Sequence, residues 1–172
     1  MPEVTALMRL FRSYLRSERP RAVSNGVAVE VIGRRDRLPV PVLREIAETE
    51  AATAPGRTLR LRLAVDYSAR DAILRAAVRL AQEPGDSARE RFEQLLALVD
   101  HGRPAPPVDL LIRTGAELRL SDFLLWECAY AELFFRDTMW PDFTVAELEQ
   151  ILAEFGGRQR RFGSLPVLRL TR

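Results

Sequence analysis

Three short apolar segments with the character of β-strands are separated by stretches that are each long enough to hold a helix. The segments are centred on Val29, Leu61 and Leu111. The first two alternate with the period of a strand, and the third is a continuous apolar run typical of a buried strand. Connections of a dozen or more residues that carry helical patterns join parallel neighbours, not hairpins. The sequence therefore predicts an α/β fold with a mainly parallel sheet flanked by helices.

The helices follow from apolar residues at three- and four-residue spacing and from capping residues. Ser68 is placed to cap the third helix, and Thr144 with Glu147 has the spacing of a capping box. No long linker interrupts the elements, so residues 1–172 are expected to form a single domain. We predict helices at 4–15, 42–54, 68–82, 87–99, 121–130 and 144–155, and strands at 27–32, 59–65, 108–112 and 133–135.

Composition argues against several classes of protein. No stretch approaches the ~20 apolar residues that span a bilayer, and the start, Met1-Pro2-Glu3, is unlike a secretion signal. The single cysteine, Cys128, has apolar neighbours and is expected to be a buried thiol. These features predict a cytoplasmic protein. The formal net charge is only +2, so we expect no nucleic-acid partner. All 26 basic residues are arginine, so an arginine indicates a binding site only where its sequence context is specific.

Polar residues concentrate directly after the third predicted strand. Arg113 and Arg119 lie there, followed by Ser121 at the predicted start of a helix. Ligands of open α/β sheets bind at the carboxyl ends of strands, arginine forks match phosphate oxygens, and a helix N-terminus offers N–H groups. The segment is consistent with a phosphate or diphosphate site. A strand-to-helix joint that carries solvated arginines is equally compatible with these residues alone.

Five ordered motifs in the second half of the chain resemble the carboxyl-terminal signature of the cis-prenyltransferase family, which includes undecaprenyl diphosphate synthases. The first half of the chain resembles the family more weakly, starting with a helix at Glu3-Val4. The resemblance therefore covers nearly the whole chain. Chance is a poor explanation for so dense and ordered a run. The motifs are DLLIRTG at 109–115, RLSDFLLW at 119–126, AYAEL at 129–133, WPDF at 140–143 and RRFG at 160–163.

The resemblance implies an activity and roles for particular residues. The activity is condensation of isopentenyl diphosphate with an allylic diphosphate such as farnesyl diphosphate, with Mg2+, to give a cis-polyprenyl diphosphate. Arg113, Arg119 and Ser121 match residues that hold the diphosphate of isopentenyl diphosphate. Glu132 matches a glutamate that takes part in magnesium binding.

The resemblance also implies partners. Arg161 and Gly163 match an Arg-x-Gly that reaches the neighbouring active site across a dimer, so a homodimer or a heterodimer with a complete synthase is expected. The lipid product implies peripheral membrane contact. The family sets product length by an apolar tunnel, and the candidates for its wall have plain core packing as their alternative role. These candidates are Phe11, Tyr14, Leu15, Leu59, Leu61 and Leu63.

Some segments that the resemblance implies are not found in these 172 residues. The family has an "MDGNGRWA"-like loop, whose aspartate supports magnesium and the allylic diphosphate, and a later "FSxENWxRP" segment. Ala116 also stands where glycine is common in the family. We therefore expect an N-terminally truncated domain without its catalytic aspartate, inactive in isolation. One interpretation is a late start site or a shortened chain. The others are a non-catalytic accessory subunit of a heteromeric synthase and a decayed remnant.

Overall fold

The computed structural model describes residues 2–82, 89–100, 103 and 106–158. They cluster into two compact units. The first unit contains the described residues up to Pro106 together with Leu120–Trp126, and the second contains Pro107–Arg119 and the described residues from Glu127 onward. That the chain forms one domain stays a prediction. None of the helices in the described ranges is both long and apolar enough to cross a membrane.

The first unit alternates helices and strands, as the spacing of the apolar segments predicts. A 3-10 turn at Arg35–Arg37 follows the first strand. The elements are α1 (Pro2–Ser24), β1 (Val27–Ile32), α2 (Val40–Thr53), β2 (Leu59–Ala64), α3 (Ala69–Gln82) and α4 (Arg89–Asp100).

The first helix is longer than its sequence pattern predicts. The apolar period ends near Leu15 and Pro20 reads as a helix breaker, yet α1 continues to Ser24. Arg16 and Arg19, on the added turns, both pair with Glu45 of α2. These contacts with a second helix hold the end of α1 in helical form, which local periodicity cannot reveal.

Strands β1 and β2 are parallel, with a register that runs from Val27 opposite Leu59 to Ile32 opposite Ala64. Apolar side chains of β1 pack against α1 and α2 in the main core of this unit, which confirms the α/β class with parallel strands. This core comprises Leu15, Val29, Val31, Val42 and Ile46.

Side chains of α2 bind the outer edge of β1. The Val29 N–H donates to Thr53 Oγ1 at 3.1 Å, and the Val31 N–H donates to Glu50 Oε1 at 2.8 Å. Thr53 in turn donates its hydroxyl to the Thr49 carbonyl at 2.7 Å. Two donors that would otherwise invite another strand are thereby satisfied. This arrangement fixes α2 against the sheet through hydrogen bonds as well as apolar packing.

Helices α3 and α4 pack against each other through small and large residues. Ala72 and Ala76 of α3 meet Leu95 and Leu96 of α4 in a second buried cluster. The predicted cap of α3 is confirmed, since Ser68 Oγ accepts the Asp71 N–H at 3.1 Å. The serine cap of α3 therefore follows from its own sequence.

The second unit contains β3 (Leu110–Arg113), β4 (Glu132–Phe135) and α5 (Val145–Gly157). The two strands are parallel, with Leu110 opposite Glu132. Thr144 caps α5 as predicted by accepting the Glu147 N–H at 3.2 Å. The Glu147 carboxylate accepts the Thr138 hydroxyl at 3.0 Å and makes no bond with the Thr144 N–H, so only the Thr144 half of the capping box is formed.

Two further predictions bear on this unit and its borders. Cys128 is buried as predicted, and burial raises the pKa of its thiol, which disfavours a reactive thiolate. The predicted helix at 121–130 is wrong, because the segment forms a series of turns. Three of its first four residues have left-handed backbone, with φ of 48° at Ser121, 65° at Asp122 and 44° at Leu124. A continuous right-handed helix cannot contain them.

Candidate functional site

Unusual backbone conformations gather just after the strands. Asp66 follows β2 with φ 52°, and Ala116 follows β3 with φ 58°. Gly33, directly after β1, has φ 111°, and Gly115 has φ 83°. Left-handed conformations are unfavourable for residues other than glycine and concentrate at ligand sites. These residues follow the carboxyl ends of strands, which is where open α/β sheets bind ligands.

Ion pairs compensate the charges at the carboxyl ends of β1 and β2. Arg34 binds Asp36 through two bonds of 2.8 and 2.7 Å and lies 3.4 Å from Asp71. Arg37 binds both carboxylate oxygens of Asp66, with 2.6 Å between Nε and Oδ2. The hydrogen bond from Arg34 lowers the pKa of Asp36 to about 2. The arginines named here already have anionic partners, so a bound phosphate would have to share or displace them.

Asp122 binds the amino end of α3 within the first unit. Its Oδ2 accepts the Ser68 hydroxyl at 2.6 Å and its Oδ1 accepts the Arg70 N–H at 2.8 Å. Its carbonyl accepts the Ala69 N–H at 3.0 Å. The Ser68 hydroxyl and then the Arg70 N–H lower the pKa of Asp122. The sequence did not predict this contact. Its one local signal was that residue 122 is an aspartate, a residue type that tolerates left-handed backbone.

The end of β3 and the loop after it carry the predicted diphosphate ligands of the second unit. Arg113 ends β3, is half-buried, and accepts the Arg136 N–H with its carbonyl at 2.9 Å. Arg119 is 72% exposed and lies 2.7 Å from the Glu117 carboxylate. Gly115 N–H donates to the Thr138 carbonyl at 2.8 Å, which ties this loop to the end of β4. The two arginines therefore flank a loop with fixed backbone.

The other predicted ligands belong to the first unit or lie outside the described residues. Ser121 is exposed and clusters with the first unit. Arg161 and Gly163 lie outside the described residues. That Arg113, Arg119 and Ser121 converge on one anion pocket stays a prediction.

Glu132, the predicted magnesium ligand, begins β4 and forms an ion pair. Arg158 Nη1 lies 3.1 Å from Glu132 Oε2, and the Arg158 guanidinium stands over the Phe134 ring at 4.3 Å from its centroid. Magnesium requires several oxygen ligands. Within the described part of the chain, no three histidine, cysteine, aspartate or glutamate side chains are grouped to hold a metal ion. These residues by themselves do not fit a magnesium site.

An open apolar groove of about 520 Å³ lies in the first unit between α1 and the β1–β2 pair. Of the residues that the sequence suggests for a tunnel wall, five line it and Leu59 does not. A groove with so few polar atoms favours a hydrocarbon chain over a polar ligand. The five are Phe11, Tyr14, Leu15, Leu61 and Leu63.

A family model described as putative undecaprenyl diphosphate synthase matches residues 1–163. Isoprenyl transferase 1 of Bradyrhizobium diazoefficiens is 55% identical over 166 residues, which are 96% of this chain and 66% of that protein. A ditrans,polycis-undecaprenyl-diphosphate synthase of Francisella tularensis, described as (2E,6E)-farnesyl-diphosphate specific, is 42% identical over 94% of this chain and 63% of its own length.

Two solved structures share the fold of this chain. A probable undecaprenyl diphosphate synthase from Campylobacter jejuni superposes with a TM-score of 0.84 at 34% identity, over 95% of this chain and 76% of that one. Lavandulyl diphosphate synthase from Lavandula x intermedia, solved with dimethylallyl diphosphate, gives 0.87 at 33% identity, over 95% and 72%. The chain spans about two thirds of the length of the curated relatives it matches. This difference in length does not establish the truncation expected from the sequence.

Proposed function

The chain belongs to the undecaprenyl diphosphate synthase family of prenyltransferases, and we propose that it serves in the transfer of isopentenyl units onto an allylic diphosphate such as farnesyl diphosphate. The observation that carries this proposal is the 55% identity to an isoprenyl transferase over 96% of the chain. The product of such a reaction is a cis-polyprenyl diphosphate. A cytoplasmic location, with membrane contact through the lipid product, stays a prediction.

In this reaction the carbon–oxygen bond of the allylic diphosphate breaks and a carbon–carbon bond to isopentenyl diphosphate forms, with loss of a proton. We assign Arg113 and Arg119 to the diphosphate of isopentenyl diphosphate, because guanidinium forks match phosphate oxygens. The fixed backbone of their loop would position that diphosphate without further ordering. The apolar groove beside α1 would shield the growing hydrocarbon from water.

We keep Mg2+ as a proposed cofactor on the strength of the family alone. Glu132 would be one ligand and would have to leave its ion pair with Arg158. Since no further ligands are grouped with it among the described residues, they would come from elsewhere in the chain or from a partner. We likewise propose that Arg161 and Gly163 act across a homodimer or a heterodimer with a complete synthase.

The 172-residue chain, assayed alone, is expected to give only background product. The departing diphosphate carries heavy negative charge and needs a metal or fixed donors. The described residues hold no grouped metal ligands, and Arg34, Arg37 and Arg119 already pair with carboxylates. The measurement is radiolabelled isopentenyl transfer to farnesyl diphosphate with Mg2+, with a complete family member as positive control.

Clear turnover by the chain alone would contradict this expectation and would place all essential groups within these residues. If the chain is inactive but raises the rate of a complete synthase, the accessory-subunit alternative is favoured. If it does neither and binds no isopentenyl diphosphate, the proposed function is wrong.

Replacing Arg119 with alanine is expected to weaken isopentenyl diphosphate binding by about 10- to 100-fold, the usual worth of a charged hydrogen bond. Titration calorimetry with the 172-residue chain measures this directly. Arg44→Ala is the matched control, because Arg44 is an exposed arginine on α2 and its replacement removes the same charge. Equal losses in the two variants would show that general charge, and not the loop after β3, attracts the diphosphate.

A further inference from the structure

We propose that Asp122 is a positioning residue for Ser121, the predicted diphosphate ligand of the first unit. It would fix the turn formed by residues 121–124, and with it Ser121, on the first turn of α3. This inference rests on the proposed function, because only the family resemblance gives Ser121 a contact with the diphosphate of isopentenyl diphosphate. Asp122 itself is assigned no contact with substrate.

Three hydrogen bonds join this one residue to three consecutive residues at the start of α3. The Asp122 carboxylate accepts from the Ser68 hydroxyl and the Arg70 N–H, and its carbonyl accepts from the Ala69 N–H. The distances are 2.6, 2.8 and 3.0 Å. Both the side chain and the backbone of Asp122 are thereby held, so its orientation is fixed and not only its location.

Ser68 already caps α3 through the Asp71 N–H. The Ala69 and Arg70 N–H groups belong to the first turn, which has no intrahelical acceptor for them. Asp122 supplies both acceptors, and its negative charge is favourable at the positive end of the helix dipole. The amino end of α3 is therefore an anchor that holds a carboxylate and is not open to a phosphate in this structure.

The anchored turn is held in an unfavourable backbone conformation. Ser121, Asp122 and Leu124 all have left-handed φ angles, which non-glycine residues adopt only where surrounding contacts enforce them. Phe123, between them, packs its ring against Tyr67 at 5.8 Å in an edge-to-face arrangement. Such enforced strain is characteristic of residues that present a side chain to a ligand. A helix cap alone would not require three left-handed residues in four.

The test compares Asp122→Ala with Asp122→Asn in the whole chain. Asparagine keeps an oxygen for the Arg70 N–H and tolerates left-handed backbone, whereas alanine does neither. We expect alanine to weaken isopentenyl diphosphate binding by about tenfold, the loss of roughly one hydrogen bond. Asparagine is expected to retain affinity within about threefold. Amide hydrogen exchange in residues 121–124 should quicken in the alanine variant only.

A double mutant separates positioning from plain stabilisation. If Asp122 acts through Ser121, adding Asp122→Ala to Ser121→Ala causes no further loss of affinity. Additive losses, or an alanine variant that melts earlier but binds as tightly as the wild type, overturn the positioning role. A wild-type chain that binds no isopentenyl diphosphate overturns the proposed function instead, so the two failures are distinguishable.

Discussion

Replacement of Glu45 by alanine is expected to lower the free energy of unfolding by about 3 kcal/mol, the lower end of the range for a buried ion-pair partner. Its side chain is 2% exposed and receives Arg19 on one oxygen and Arg16 on the other, the latter at 2.8 Å. Arg12 approaches to 3.9 Å. Removal leaves three arginines of α1 facing one another without the carboxylate that separates their charges. The expected loss lies at the lower end of that range because two of these arginines are substantially exposed, so water screens their charges.

Glu48→Ala is the matched control. Glu48 lies on the same helix and also pairs with Arg19, at 3.2 Å, but its side chain is 50% exposed. Exposed pairs contribute about 0 to 1 kcal/mol. Urea denaturation followed by circular dichroism gives both values. If the two variants lose the same stability, the burial of Glu45 has no special importance for the contact between α1 and α2.

The sequence predicts an element well when the interactions that define it lie within the element. The caps at Ser68 and Thr144 join residues three positions apart, and both were predicted correctly. The parallel strands follow equally from apolar alternation and from connection length. Burial of Cys128 follows from its apolar neighbours.

Prediction fails where a distant residue decides the local conformation. The end of α1 depends on Glu45, which is 29 positions from Arg16, and the turns at 121–124 depend on Ser68, which is 54 positions from Asp122. An aspartate that follows Ser121 before an apolar run has the pattern of a helix start. Only the folded chain shows that its carboxylate serves another helix.

In the candidate site, too, some features could be predicted from the sequence and others could not. The resemblance named Arg113 and Arg119, and the structure places Arg113 at the end of β3 and Arg119 on the loop that follows it. It could not reveal that Glu117 already neutralises one of them or that Glu132 pairs with Arg158. Such pairs depend on side-chain geometry, which the order of residues does not specify. If the proposed function is right, a diphosphate at Arg119 and a metal ion at Glu132 would each have to compete with these internal partners.

Gly33 lies where the chain leaves β1 for the carboxyl end of the sheet. Its φ of 111° is unfavourable for every residue with a side chain. A Cβ placed there would lie 2.2 Å from the Val65 carbonyl oxygen and 3.2 Å from the Asp66 carbonyl carbon. Both neighbours are backbone atoms, and Val65 is held by its N–H bond to the Ile32 carbonyl at 2.9 Å. Neither atom can rotate away as a flexible side chain would.

Gly33→Ala is therefore expected to destabilise the chain by at least about 3 kcal/mol, since backbone strain and a backbone clash add. Gly156→Ala is the matched control, because Gly156 lies in α5 and a Cβ there meets nothing within 4 Å. The same substitution should stabilise at that position by about 0.5 kcal/mol, because alanine favours the helix. Thermal and urea unfolding of both variants measure the effects. Gly33→Ala with wild-type stability would show that the β1 and β2 ends can separate without cost, and the strained carboxyl edge would then not be a rigid platform for ligand binding.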